Sequence, residues 1–183
     1  HGRQVGYNTS GRGQEEAYNW LRQNPHRLHL GQIGLDIKKE DLSPAAIKDI
    51  KNPRHTLNLW NGTMESSFFV DGVKTETITC CHPKMDLLAF KVKSGLLAQG
   101  RLGIKIRFPY GSPDMTAADW NSDHRHSTDI IASGENYVCL RRTMDNDGYF
   151  VKIVWSEGAK LERTGRNSFR INVLPGKDEL EFL

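Results

Sequence analysis

The sequence has little of what marks several large protein classes. No apolar run approaches the ~20 residues that a membrane-crossing helix requires, so a helical span is excluded. Cysteine is scarce, with only Cys80, Cys81 and Cys139. An odd count with two adjacent members is no disulfide framework, and the C-x-x-C spacing of a zinc site is missing. On a strand Cys80 and Cys81 face opposite sides; free thiols are expected, with a bridge from Cys139 to one of them as the alternative. Charge of one sign is weak too. Lys and Arg number 25 against 22 Asp and Glu, and the resulting +3 is too small and too evenly spread along the chain for a nucleic-acid surface. The opening His1-Gly2-Arg3 has no apolar signal-peptide core behind it, so a leader is expected to be removed or never present. No G-x-S-x-G elbow, P-loop or G-x-G-x-x-G fingerprint occurs.

What is there fits one β-rich domain. The chain has 183 residues, 37% hydrophobic and 26% charged, with a mean hydropathy of −0.58: polar, yet long enough to bury a core. Residues 1–26 read as an arm, His1 to Arg12, followed by one helix over Gln14 to Asn24. Ala17, Tyr18, Trp20 and Leu21 fall at helical spacing there, Glu15 and Glu16 sit in the first turn, and Asn24-Pro25 stops it. Trp20 is expected to pack inward. Ile33, Leu35 and Ile37 alternate as a strand, and Pro44 with Ala45, Ala46 and Ile47 marks a short helical turn. From Leu57 onward the period is two. Asp71-Gly72, between strand-like runs, is the strongest hairpin signal. Leu88 to Lys93, Leu102 to Phe108, Tyr137 to Arg141, Phe150 to Trp155, Lys160 to Arg163, Phe169 to Leu174 and Glu179 to Leu183 supply further strands. Many short strands with one polar face each predict an all-β fold, a twisted antiparallel sandwich with one or two short helices.

One segment breaks the rhythm. Tyr110 to Ser133 carries Asp119, Trp120, Asp123, His124, Arg125, His126 and Asp129, and a connection this long in a compact β domain is functional or disordered. It is expected at one end of the sandwich with Trp120, His124 and His126 partly exposed. His124-x-His126, with Asp123 or Asp129, has the spacing of a metal pair on an extended segment. Solvated loop histidines and a polar site touching a substrate hydroxyl are the alternatives. No third ligand is fixed by spacing, so no metal and no cofactor is assigned. Cys80-Cys81-His82 is weaker, because neighbours on a strand diverge. Paired carboxylates for glycoside chemistry are marked by no motif. Trp60 and Trp120 can stack on a sugar ring, with core packing as the competing role for Trp60; Trp155 is assigned to the core. Asn8-Thr9-Ser10 and Asn61-Gly62-Thr63 match the glycosylation sequon, a pattern that also arises by chance.

Leu57-Asn58-Leu59-Trp60-Asn61-Gly62-Thr63, the Asp71-Gly72 hairpin, Thr79-Cys80-Cys81-His82-Pro83-Lys84-Met85-Asp86 and the strand from Leu88 to Ser94 form a recognisable order. Together they resemble the amino-terminal β-supersandwich, a galactose mutarotase-like fold, of six-hairpin glycosidases. That family has a Leu-Asp-Leu strand before a turn, a His-Pro-x-x-Asp corner and a following strand that ends in Ser. Arg27 to Gly34 also resembles its Leu-Gly-x-Ile-Gly segment. The resemblance covers roughly residues 27–110 well and the remainder loosely, and its motifs are packing motifs. Asn58 departs from the Asp of many relatives.

The resemblance implies a secreted or periplasmic glycoside hydrolase whose catalytic carboxylates lie on a separate helical barrel. It makes this chain a non-catalytic domain that packs on that barrel, lends loops to its sugar site and binds oligo- or polysaccharide through its parent. No helical run here supplies the barrel, which is expected beyond Leu183. The site or interface candidates are Trp60, Tyr110, Asp119, Trp120, His124 and His126, with no catalytic residue assigned. A surface left bare by the missing barrel implies self-association of the isolated domain. Two alternatives stand beside this. One is a carbohydrate-binding module using Trp120 with Tyr110; the other is a mutarotase-like enzyme using His82, His124 or His126 with a carboxylate.

Overall fold

The computed structural model describes residue 2, residues 10–23 and residues 28–183. The remainder of the arm through Thr9, the Asn8 sequon, the Asn24-Pro25 helix stop and Arg27 lie outside the described residues. The elements in chain order are α1 (Glu15–Arg22), β1 (Gln32–Ile37), β2 (Lys51–Asn58), β3 (Thr63–Val70), β4 (Val73–Cys81) and β5 (Leu88–Ser94). Then come α2 (Gly95–Ala98), β6 (Leu102–Arg107), β7 (Tyr110–Gly111), β8 (Ala118–Asp119), β9 (His126–Ser133) and β10 (Tyr137–Met144). β11 (Asp147–Val154), β12 (Ala159–Gly165), β13 (Ser168–Val173) and β14 (Glu179–Phe182) complete the chain.

Every named strand pairing is antiparallel. One layer is the sheet β1-β6-β13-β12. The other is β14-β5-β4-β3-β2, which runs on into β11-β10-β9 through the bridge between Trp155 and Phe182. The protein is therefore an all-β sandwich with short helices. Alternate residues meet between the layers: Leu102, Ile104, Ile106 and Phe108 with Phe169 and Ile171 from one side, Val92, Val138, Leu140, Ile153 and Leu180 from the other. Trp155 is buried among them, as its strand position predicted, and its indole N–H donates to Ala159 O at 3.1 Å.

The hairpin signal at Asp71-Gly72 is correct. Both residues have positive φ, 48° and 74°, the backbone twist that a two-residue turn needs to continue its strands. Val70 and Val73 close the turn, and the Asp71 carboxylate accepts the Glu40 N–H at 2.7 Å and pairs with Arg101. β2 begins earlier than the period suggests, at Lys51, and tolerates Pro53 because it is an edge strand with a register shift between Lys51 and Arg54.

Two expectations need correction. α1 has no buried residue, and Trp20 is 69% exposed. Among the described residues none covers the helix's apolar face well enough to bury a side chain. The segment from Tyr110 to Ser133 is not one connection, because its last third is β9. Alternation is hard to read there, since β9 is an edge strand with mostly exposed residues and a bulge opposite Cys139 and Leu140. The three cysteines are free, as expected, and the alternative bridge from Cys139 is not made.

Candidate functional site

The segment from Tyr110 to Arg125 crosses the end of the sandwich where β9 begins. Tyr110 starts the short β7–β8 pair, in register with Asp119. It is buried rather than presented to solvent. Its hydroxyl donates to Asp145 Oδ2 at 2.6 Å, and Arg125 Nη2 donates to the same hydroxyl at 2.6 Å. The Asp145 carboxylate holds the phenol proton and, with burial, pushes Tyr110 above the usual tyrosine range. Asp119 faces its own turn. The Ser122 hydroxyl and the Asn121 N–H, 2.9 Å away, hold its carboxyl below the usual range. Trp120 is 36% exposed, with the Arg107 guanidinium 4.0 Å from its ring centroid and His29 packed edge-on at 5.5 Å.

The two histidines do not act together. His124 lies in a one-turn 3-10 helix, Asp123–Arg125, and is exposed. His126 opens β9, opposite Met144, and is buried, which corrects the expectation of partial exposure. The helical turn breaks the two-residue period that would have put both rings on one side. Among the described residues no group of three or more His, Cys, Asp or Glu side chains is placed to hold a metal ion.

His126 belongs to a buried polar cluster centred on Arg142, whose side chain is fully covered. Arg142 Nη1 donates to Ser127 O (2.8 Å), Thr128 Oγ1 (2.7 Å) and Asn167 Oδ1 (2.9 Å). Nη2 donates to Pro109 O (3.2 Å) and His126 Nδ1 (2.6 Å). Asn167 Nδ2 in turn donates to Asp123 Oδ1 at 2.7 Å. The guanidinium can only donate, so Nδ1 accepts, and burial first, then the Arg142 cation, pulls His126 below its ordinary value. One guanidinium thus ties β9, β10, the turn before β13 and the entry to the polar segment together. Arg142 was not singled out from the sequence, although it shares the inward parity of Val138 and Leu140.

Trp60 sits elsewhere. β2 ends and β3 begins at the end of the five-stranded sheet where β14 finishes. The turn residues there are Leu59–Gly62, and Trp60 is 99% exposed. Asn58 Oδ1 accepts the Trp60 N–H at 3.0 Å, and Asn61 Oδ1 accepts the Thr63 N–H at 3.1 Å and its hydroxyl at 2.7 Å. At the neighbouring β4–β5 turn, His82 Nδ1 accepts from Lys84 N (3.2 Å) and Met85 N (3.1 Å). Ser94, at the close of β5, caps α2 by accepting the Leu96 N–H at 3.2 Å. The motif residues Asn58, His82 and Ser94 are therefore turn and helix caps, and Asn58 performs the capping that an Asp would. Leu57, Leu59, Met85 and Leu88 flank Trp60 in the chain turns and are exposed. No helix among the described residues is long and apolar enough to cross a membrane. No protein-family model and no curated protein matches the chain.

Proposed function

We propose that this chain is a non-catalytic β-sandwich domain of a carbohydrate-active hydrolase, seated on a helical catalytic domain through its Trp60 end. The observation that carries the reading is an apolar end built to stay exposed. Leu57, Leu59, Trp60, Met85 and Leu88 are solvent-facing, while side-chain caps fix the turns that present them. Covering such side chains gains roughly 1.5–3 kcal/mol each, enough in sum to hold two domains together. The resemblance to six-hairpin glycosidases supplies the kind of partner.

The mutarotase-like alternative is less well supported. It needs a histidine free to move a proton; His82 Nδ1 is engaged by two backbone N–H groups and His126 Nδ1 by Arg142, which leaves the exposed His124 as its one candidate of the three. The test has two arms. Offered α- and β-linked aryl glycosides and oligosaccharides, this chain turns over none; turnover that vanishes when one of its own carboxylates is replaced overturns the proposal. In sedimentation, the chain self-associates as concentration rises, and Leu59→Ser with Trp60→Ser makes it monomeric without lowering Tm. A monomer at all concentrations refutes the docking end.

A further inference from the structure

The outer face of the β1-β6-β13-β12 sheet has a composition that the core does not explain. Parity puts Asp36, Lys38, Lys105, Arg107, Lys160, Glu162, Arg170 and Asn172 there, opposite the buried Ile104 and Ile171. Five cations against two carboxylates leave +3 on this one face, equal to the formal excess of the whole chain. Two glycines flatten it. Nothing lies within 4 Å of a side chain built at Gly34, and a Cβ at Gly103 would stand 2.5 Å from Arg170 Nε. Arg170 therefore lies down across β6. Its Nε donates to Asn172 Oδ1 at 2.6 Å, Nη1 pairs with Asp36, and Asn172 Nδ2 donates to Glu162 Oε2 at 3.2 Å. A line of planar polar groups thus crosses all four strands. It borders a depression of about 440 Å³ lined by Lys38, Glu162, Thr164, Arg170 and Asn172. At the other end of the face Arg107 is held by Gln32 Oε1 at 2.6 Å, and its guanidinium meets the part-exposed Trp120 ring. Arg107 and Gly103 are four residues apart on one strand, about 13 Å at ~3.3 Å per residue.

A second feature points to an anion. Lys105 stands directly opposite Arg170 across β6 and β13. Like charges so placed lower the stability of a sheet, and such conflicts mark positions kept for binding.

We propose that this face binds an acidic polysaccharide, a chain whose sugar rings carry carboxylates, with Trp120 as ring platform and the Arg170–Lys38 depression as carboxylate seat. The cations match the ligand's negative charge. Asp36, Glu162 and Asn172 can accept from sugar hydroxyls, which a phosphodiester backbone supplies sparsely. The face lies on a different sheet from the Trp60 end, so each assignment can fail without the other.

The experiment is calorimetric titration of the whole chain with polygalacturonate and alginate, beside neutral xylan and amylose, a sulfated glycan and duplex DNA. Uronate binding is expected to weaken as salt rises, and Lys105→Glu with Lys160→Glu is expected to weaken it about tenfold. Tm should not fall in that variant, because a carboxylate in place of the Lys105 ammonium meets Arg170 favourably. Trp120→Ala should weaken uronate binding as well, while leaving its salt dependence in place. Absence of uronate binding, or uronate binding indifferent to the lysine substitutions, overturns the proposal. Equal binding of xylan or amylose overturns the acidic assignment. Equal binding of the sulfated glycan or of DNA reduces the face to a general polyanion surface and overturns it too.

Discussion

Replacing Arg142 with methionine measures what holds the polar end together. The guanidinium is fully buried, and its hydrogen-bond partners named above are oxygens of Ser127, Thr128, Pro109 and Asn167 and the His126 ring, with no carboxylate among them. Burying an unpaired cation costs several kcal/mol. Hydrogen bonds made by a charged group return about 1.5–3 kcal/mol each, so five of them outweigh that cost. Methionine keeps the length of the side chain and removes every donor. Thr128 and Asn167 still have each other, with Thr128 Oγ1 donating to Asn167 Oδ1 at 2.8 Å. His126 Nδ1 and Pro109 O lose the donor that satisfied them, at about 1–3 kcal/mol apiece. Part of that is offset because no charge is buried any longer, which leaves a net loss of about 3 kcal/mol. Urea unfolding followed by tryptophan fluorescence should show a lower midpoint with unchanged slope. In thermal melts the loss corresponds to roughly 6–12 °C. An Arg142→Met protein as stable as the parent, or more stable, refutes the reasoning and makes the cluster an expense that an apolar core would avoid.

His126 gives the same end a pH dependence. Its proton affinity is lower folded than unfolded, so the unfolded chain binds the extra proton. Stability is full above the ordinary value of 6.5 and declines as pH falls below it towards the lower folded value; Arg142, Arg166, Asp123 and Asp119 are the charges that face the ring. His126→Asn should flatten that limb of a stability–pH curve, and an unchanged slope counts against the buried neutral ring. Gly103→Ala drives a methyl into Arg170 and should cost about 1–3 kcal/mol in chemical denaturation; no loss would mean that Arg170 is not anchored where it lies. Ser94→Ala removes the α2 cap and the buried partner of Thr75, 2.9 Å away, for about 1–2 kcal/mol by the same assay. Lys91→Met breaks exposed pairs with Glu179 and Glu181 at 2.7 and 3.0 Å, and Tm should not move measurably.

Some of this was decided by local chemistry and is legible in the sequence. Alternation over Leu102 to Phe108 and Phe169 to Val173 selects strands, because side chains on a strand change face at each residue. Asp71-Gly72 selects a tight hairpin, because both residues accept positive φ. The capping types at Asn58, Asn61, His82 and Ser94 are local too, although their role as caps shows only when their acceptors meet backbone N–H groups. The tertiary structure decided the rest. Parity says that Arg142 shares a face with Val138 and Leu140, but only β9, Pro109 and Asn167, distant in sequence, turn that face into a site for a cation. Trp20 and Trp155 are both assigned to packing positions by the period of their own elements. One is exposed and one buried, because packing of a second layer, not hydrophobicity, determines which apolar face is covered. The charge shows the same divide: spread evenly along the sequence it favours no partner, and strand pairing gathers Lys105, Arg107, Lys160 and Arg170 onto one face because register aligns residues that the chain keeps up to 65 positions apart.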